Sequence, residues 1–183
     1  MKILTTGIKD LYEIELEPFV DDRGFFVRSF CVNELSAIKK DIKIVQINHT
    51  LTLEKGSVRG LHFQKPPFCE AKFVRCLKGA VFDVAVDLRK GSPFFLNWYG
   101  TLLTASNMKM LAIPEGFAHG FQTLENNCEL LYLHTESYHK TCESGLRYDD
   151  PVLHIDWKLP VSTLSDRDKT HPLLDDHFKG IEI

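Results

Sequence analysis

Side chains that could transfer protons lie close together in the first half of the chain. His62 and Gln64 fall on a stretch that alternates like a strand, and Glu70 and Lys72 follow shortly after. Buried polar groups of this kind cost free energy unless they are paired or used. Because alternate residues of a strand point to one face, these groups can line one shared cavity. Together with Arg59, the segment therefore indicates an acid–base site inside a β-barrel.

Further candidates for the same site lie on later predicted strands. His119 follows a Pro-x-Gly turn, Tyr132 alternates with leucines so that it faces inward, and Asp83 needs a partner across the barrel. Taken singly, His62 and Tyr132 have an alternative interpretation as core residues with satisfied hydrogen bonds. We expect the remaining histidines to be exposed or incidental, among them His134, His139, His171 and His177.

Composition limits the class of protein. The 183 residues are most simply one domain with a substantial core, and the net charge of −3 predicts neither a nucleic-acid nor a membrane partner. No window approaches the roughly 20 apolar residues of a membrane span, and the apolar run after Met1 is too short for a signal peptide. Five cysteines without metal-like spacing suggest reduced thiols, so we expect a cytoplasmic protein.

Short strand candidates separated by turns at nearly regular intervals dominate the chain, as in a sandwich or barrel. One helix is predicted over 32–42, where apolar residues recur at helical spacing, and a short one near 174–178. The tail from Pro151 is expected to wrap the barrel. The predicted strands are 11–17, 25–30, 44–50, 57–64, 71–77, 80–88, 98–103, 108–113, 117–122 and 128–135.

Two segments resemble the motifs of the double-stranded β-helix, or cupin, superfamily. The stretch from His62 through Gln64 and Glu70 matches the first motif, and Pro114-x-Gly-x-x-His119 matches the second. The resemblance implies an all-β jelly-roll barrel with a few short peripheral helices. Metal-binding cupins carry His-x-His, but Gln64 stands in place of the second imidazole. Because an amide is a poor transition-metal ligand, this departure predicts that the site holds no metal.

More specifically, the chain resembles the dTDP-4-dehydrorhamnose 3,5-epimerase family from Asp21 to Asp168. So many ordered matches make the resemblance specific. It implies an isomerase that inverts C3, C5 or both in a 4-keto-6-deoxyhexose carried on a nucleoside diphosphate. The matching motifs are Asp21-x-Arg23-Gly-x-Phe26, Gln46-x-Asn48, Arg59-Gly-Leu-His62-Phe-Gln64, Lys72, Asp83-Val-Ala-Val-Asp-Leu-Arg89-x-Gly-Ser-Pro93, Pro114-x-Gly-Phe-Ala-His119-Gly-Phe121, Tyr132, Tyr138, Glu143, Asp149-Asp-Pro151, Ile155-Asp-Trp157 and Ser165-Asp-Arg-Asp168.

The family assigns catalytic roles to four of the matching residues. His62 would be the base, and Asp168 would orient and charge it, whereas the residues around Asp168 alone would read as a solvated turn. Lys72 would hold the negative charge on the C4 oxygen, and Tyr132 would return a proton from the opposite face. Each step moves only a proton, so the resemblance implies no cofactor.

The family also implies how the substrate is held. His119, backed by Asp83, would bind the sugar or assist Lys72. The partners implied are a nucleotide-diphospho-sugar and a second copy of the chain, in a homodimer that exchanges N-terminal strands. The substrate-binding residues implied are Arg23, Phe26, Arg28, Gln46, Asn48, Arg59, Gln64, His119, Tyr138, Glu143 and Arg167.

Arg28 departs from the family pattern, which usually has a glutamate near the nucleobase at this position. A guanidinium could donate to the acceptors of cytosine, so one alternative is a 5- or 3-epimerase acting on a CDP-linked keto sugar. Arg28 could equally point to solvent and pair with an acidic residue. A related ketoisomerase, and more distantly a non-catalytic or metal-dependent sugar-binding cupin, also remain open.

Overall fold

A computed structural model describes residues 1–183 of the protein. The two helices are four and five residues long, and neither is long or apolar enough to span a bilayer. The elements in chain order are β1 (Lys2–Thr5), β2 (Tyr12–Glu15), β3 (Phe19–Asp21), β4 (Gly24–Phe26), α1 (Val32–Leu35), β5 (Gln46–Thr52), β6 (Val58–Gln64), β7 (Lys72–Lys78), β8 (Ala80–Asp87), β9 (Trp98–Thr104), β10 (Lys109–Ile113), β11 (Phe117–Thr123), β12 (Cys128–His134), β13 (Glu143–Gly145) and α2 (Asp166–Thr170).

Two antiparallel sheets form the barrel. The first has the strand order β1-β2-β10-β7-β12-β5, and the second has the order β13-β6-β11-β8-β9. Neighbours in each sheet are mostly distant in sequence, as the long crossover connections of a jelly roll require. The all-β jelly-roll fold predicted from the sequence is confirmed. Strands β3 and β4 form a separate two-stranded hairpin.

The core lies between the two sheets because alternate residues of their strands point inward. Val74 and Leu130 of the first sheet pack with Ala85 and Phe121 of the second, and all four are buried. Strand β8 is buried at every position, so its outer face is covered as well. The covering side chains come from the C-terminal segment, where Leu153 and Ile181 pack with Val84, Val86 and Leu88.

An irregularity in strand β6 allows two of the predicted site residues to share a face. The pairing of β6 with β11 shifts register between His119 and Phe121, opposite His62 and Arg59. Gly60, at φ +119°, lies so close to Gly120 that a Cβ there would sit 2.6 Å from the Gly120 Cα. In a regular strand, residues three apart point to opposite faces. The shift therefore lets Arg59 and His62 both line the cavity between the sheets.

The helix predicted over 32–42 is wrong in its length, since α1 ends at Leu35. Ile38 and Ile42 still pack beside Leu35 in one apolar cluster. The chain reaches that cluster through turns, and Asp41 has a left-handed φ of 55° that no helix allows. The helical spacing of the apolar residues reflected a shared packing face and not a continuous helix.

The prediction for the tail placed its helix in the wrong segment. No helix forms near 174–178, where the Asp175 carboxylate instead accepts the backbone N–H of Phe178 in a turn. The helix is α2, in the segment whose residues alone read as a solvated turn. Ser165 begins it, because its hydroxyl accepts the backbone N–H of Asp168 at 3.1 Å. This is the N-cap arrangement that Ser followed three residues later by a carboxylate favours.

Candidate active site

A cavity of about 910 Å³ opens between the sheets and contains most of the predicted site residues. Its size is within the range of pockets that bind nucleotides and other organic ligands. Strands β5, β6, β7, β11 and β12 and helix α2 contribute to its walls. The predicted residues that line it are Gln46, Asn48, Arg59, His62, Gln64, Lys72, His119, Tyr132, Tyr138, Glu143, Arg167 and Asp168.

His62 and Asp168 form a hydrogen-bonded pair on the wall built by β6 and α2. The distance from His62 Nε2 to Asp168 Oδ1 is 2.7 Å, and Asp168 Oδ2 accepts the backbone N–H of Gly60 at 3.3 Å. Burial alone would raise the pKa of the Asp168 carboxyl, but the bond from His62, its charge and the Gly60 N–H lower that pKa below its usual range. Asp168 is therefore an anion at neutral pH.

The anionic partner fixes the tautomer of the imidazole. Arg167 Nη2 also lies 3.3 Å from His62 Nε2, but the contact with Asp168 is shorter. A carboxylate needs a donor, so we place the hydrogen of neutral His62 on Nε2 and leave Nδ1 as the basic nitrogen. An imidazole held in this way by a carboxylate can accept a proton and be stabilised as an imidazolium.

Tyr132 and His119 lie farther along the cavity. Tyr132 is on β12 in the opposite sheet, is 9% exposed, and burial raises the pKa of its hydroxyl. His119 Nε2 lies 3.0 Å from both oxygens of Asp83, which is fully buried behind it. The rings of His119 and Tyr132 meet edge to face with centroids 6.0 Å apart. The cavity thus presents an imidazole on one wall and a phenol on the other.

Lys72 supplies a positive charge within the same cavity. Its Nζ lies 3.2 Å from Glu70 Oε1 and donates to the backbone carbonyl of His62 at 3.3 Å. An ammonium in this position can stabilise an oxyanion that forms on a bound ligand. A metal ion at Glu70, the carboxylate of the cupin motif, would have to displace the Lys72 ammonium. The surroundings of Glu70 therefore do not favour the metal position of the cupin motif.

A polar cluster with partly exposed members lines one part of the cavity. Tyr138 donates its hydroxyl to Glu143 Oε2 at 2.8 Å, and Arg167 Nη1 donates to Glu143 Oε1 at 2.6 Å. The Gln64 amide donates to the carbonyls of Phe68 and Ser137 and accepts the N–H of His139, so its polar atoms hold the loop on both sides of Tyr138. Gln64 thus lines the cavity with its hydrogen-bonding capacity already used.

One of the histidines expected to be exposed or incidental lines the cavity. His134 is 8% exposed and bonds through Nδ1 to Glu70 Oε2 at 2.7 Å. The expectation was therefore wrong for His134. His171 lies outside the cavity lining, and its ring packs against His62 with centroids 5.6 Å apart. Strand alternation could have found His134, since it stands two residues after Tyr132 and shares its face.

The structure does not bring Arg23, Phe26 and Arg28 to the cavity of their own chain. They lie in and just after the β3–β4 hairpin, whose six strand residues are all exposed. Arg23 pairs with Asp21 at 2.5 Å, and Arg28 Nη1 pairs with Glu34 Oε1 at 2.6 Å. The hairpin makes its own small sheet apart from the barrel, so these side chains cannot reach a ligand there unaided.

The fold and the site together define a cupin-type barrel with acid and base groups on facing walls. Comparisons with known proteins agree. The model of the dTDP-4-dehydrorhamnose 3,5-epimerase family matches residues 5–176. A dTDP-4-dehydrorhamnose 3,5-epimerase of Shigella flexneri is 43% identical over 169 residues, which are 92% of this chain and 93% of that protein.

Solved structures show the same likeness. The dTDP-6-deoxy-D-glucose-3,5-epimerase of Legionella pneumophila, in complex with dTDP-4-keto-L-rhamnose, superposes with a TM-score of 0.92 at 38% identity and covers 100% of this chain and 98% of that one. The dTDP-4-dehydrorhamnose 3,5-epimerase of Bacillus anthracis, with TDP and pyrophosphate bound, has a TM-score of 0.91 at 40% identity, with coverages of 94% and 99%. The chain belongs to the dTDP-4-dehydrorhamnose 3,5-epimerase family and is an isomerase.

The Asp168 carboxylate should stabilise the fold in a pH-dependent way. Because its pKa is lowered in the folded state, its contribution is full above its unfolded value of about 3.8 and is lost as the pH falls further. Asp168→Asn should reduce the free energy of unfolding at pH 7 by about 2 kcal/mol, the usual value of hydrogen bonds to a charged group. Denaturant titrations at pH 7 and below pH 3.8 measure the difference.

Asp166 provides the control, since it lies on the same helix and is exposed. Asp166→Asn should leave the unfolding free energy unchanged. An Asp168→Asn variant whose difference from wild type is equally large at both pH values would contradict the assignment.

Proposed function

We propose that the protein inverts C3, C5 or both in a dTDP-linked 4-keto-6-deoxyhexose, most simply dTDP-4-dehydro-6-deoxy-D-glucose, to give dTDP-4-dehydro-L-rhamnose. The observation that carries the proposal is the placement of the His62–Asp168 pair and Tyr132 on facing walls of one cavity, with Lys72 in the same cavity. The names of the relatives, and the dTDP-4-keto-L-rhamnose bound to the Legionella enzyme, agree with this substrate class.

The reaction needs only proton transfers. The C4 ketone acidifies the C–H bonds at C3 and C5, so His62 can remove one of these protons while the electron pair moves to the C4 oxygen. The Lys72 ammonium stabilises the enolate. Tyr132 then donates its proton to the opposite face of the same carbon, and the configuration is inverted. The His62 imidazolium then releases its proton to solvent, and the Tyr132 phenolate takes up a proton from solvent, so both groups are ready for the next turnover.

Exchange of substrate protons with solvent tests the role of His62. In D₂O, the wild-type enzyme should place deuterium at C3, at C5 or at both, and proton NMR will show which carbons react. His62→Ala should slow exchange by about a hundredfold to ten-thousandfold, the usual contribution of a positioned base. The control is His177→Ala, since His177 lies outside this cavity and is exposed.

The outcomes separate the open alternatives. Deuterium at only one carbon would identify a 3- or 5-epimerase. If the wild type exchanges no deuterium into the dTDP-linked sugar, the same assay should be repeated with CDP-linked keto sugars. Full exchange by His62→Ala would contradict the assigned base. The Arg28–Glu34 pair shows that Arg28 has a partner within the chain, so the structure offers no independent support for a cytosine contact.

We infer further that two copies of the chain form a homodimer that exchanges the β3–β4 hairpin. Four large apolar side chains of the hairpin are 58–76% exposed, namely Phe19, Val20, Phe25 and Phe26. A second group of exposed apolar side chains lies along and just after the edge strand β5, where Ile47, Leu51 and Leu53 are 49–66% exposed. Exposed apolar side chains grouped in this way mark interaction surfaces.

Exchange of the hairpin would also complete the site. Strand β5 carries Gln46 and Asn48 on its inner face, at the edge of the cavity. A partner hairpin packed beside β5 would bring Arg23 and Phe26 to the cavity mouth, where a guanidinium and an aromatic ring can bind a diphosphate and stack on a base. A cytoplasmic location remains a prediction from the sequence.

Sedimentation velocity with nucleotide titration tests the exchange. The molar mass obtained from sedimentation of the wild type should be twice the chain mass of 21.0 kDa. Ile47→Glu should yield monomers with at least about tenfold weaker dTDP binding, because a buried charge disrupts the apolar contact. Arg23→Ala is the matched variant: it should keep the dimer and weaken dTDP binding alone. A monomeric wild type with full activity would refute the inference.

A further inference from the structure

A buried chain of polar contacts connects the two ends of the cavity. Lys72 Nζ lies 3.2 Å from Glu70 Oε1, and Glu70 Oε2 lies 2.7 Å from His134 Nδ1. His134 Nε2 in turn lies 3.3 Å from the side-chain nitrogen of Asn48. All four residues line the cavity, and the side chains of Lys72, Glu70 and His134 are each 10% exposed. Neither Glu70 nor His134 has a role in the mechanism above.

The hydrogen-bond donors and acceptors in this series of contacts determine how its members are arranged. The Asn48 amide nitrogen can only donate, so His134 Nε2 accepts and Nδ1 carries the hydrogen that it donates to Glu70. Burial alone would raise the pKa of the Glu70 carboxyl, but the bond from His134 and the charge of Lys72 lower that pKa below its usual range. Glu70 is an anion held on both sides.

This arrangement makes His134 unsuitable as a second base. Both of its ring nitrogens are occupied, one by Glu70 and the other by Asn48. What it can do is fix the Glu70 carboxylate. Without that carboxylate, the Lys72 ammonium would be buried beside a single neutral acceptor, the His62 carbonyl. A buried ammonium without its counter-ion tends to lose its proton, and it would then no longer stabilise an oxyanion.

We propose that Glu70 and His134 are positioning residues for the epimerisation. Glu70 keeps the Lys72 ammonium charged and correctly oriented. His134 bonds to both Glu70 and Asn48, so Lys72 at the enolate and Asn48 at the nucleotide end are held in fixed positions relative to each other. The inference rests on the proposed function and names two further residues for the same site. It also accounts for two buried ionisable side chains that no other part of the protein uses.

The pH profile of turnover distinguishes this role from a merely structural one. Besides this group of contacts, the titratable side chains that line the cavity are Glu54, Arg59, His62, His119, Tyr132, Tyr138, Glu143, Arg167 and Asp168, and Asp83 lies behind His119. Burial raises the pKa of the Tyr132 hydroxyl, so this group stays protonated at neutral pH. Glu70→Gln keeps the shape and removes the charge. It should move the alkaline limb of kcat down by about 1–3 pH units, the usual influence of a nearby opposite charge.

The acid limb of the kcat profile should stay in place in Glu70→Gln. At neutral pH, kcat should fall by about tenfold to a hundredfold, somewhat less than the loss of an oxyanion donor itself. Glu70→Asp retains the negative charge and should return the alkaline limb to near its wild-type position. An alkaline limb that is the same in Glu70→Gln and wild type would overturn the proposal.

His134→Asn distinguishes the contact with Glu70 from the contact with Asn48. An asparagine amide nitrogen can take the place of Nδ1 and donate to Glu70, but the shorter side chain cannot reach Asn48. We therefore expect the alkaline limb to be retained and KM for the dTDP-sugar to rise by about tenfold, the value of one good hydrogen bond. A variant with unchanged KM would remove His134 from the proposal.

Glu13 offers a matched control for the loss of a buried lysine–carboxylate pair. Its carboxylate is 2.7 Å from Lys109 Nζ and accepts the Tyr99 hydroxyl, and it lies outside the cavity. Glu13→Gln should lower thermal stability and leave the pH profile unchanged. A profile that shifts equally in Glu13→Gln would overturn the proposal. If the wild type shows no deuterium exchange, the proposed function is overturned. If the wild type is active and Glu70→Gln has the same alkaline limb as wild type, only this inference is overturned.

Discussion

Ionisable groups inside a β-barrel are tolerated only where each charge has a partner, and this requirement organises the cavity. Removing a carboxylate or an ammonium from water costs several kcal/mol, which only close pairing and further hydrogen bonds recover. Each histidine on the cavity wall accordingly has a carboxylate behind it or beside it. The three pairs are His62–Asp168, His119–Asp83 and His134–Glu70. In each pair the carboxylate occupies one ring nitrogen of the histidine.

The jelly roll supplies the geometry that the chemistry needs. A base and an acid can act on opposite faces of one sugar carbon only if they come from different walls, and the two sheets provide those walls. The register shift beside Gly60 then adds Arg59 to the same face as His62. The exposed hairpin and the exposed apolar side chains along β5 are the surfaces on which the proposed homodimer rests.

Local patterns in the sequence were sufficient for part of this site. Strand alternation and the high cost of burying polar groups identified His62, Lys72 and Tyr132, and the regular turns predicted a barrel. Asp168 could not be found in this way, because its partner His62 is 106 residues away and a short helix with a Ser cap reads locally as a turn. The resemblance to the family supplied it. His134 was missed although its spacing from Tyr132 was informative, because a histidine judged alone gives no sign of its partner.

The central claim is that one proton is removed by His62 and another is returned to the opposite face by Tyr132. Tyr132→Phe in D₂O tests it most directly, with isotope exchange and product configuration followed in the same sample. We expect the variant to place deuterium on the substrate at a measurable rate while forming little inverted product, since the base remains and the facing acid is gone. Inversion by Tyr132→Phe at the wild-type rate would contradict the account.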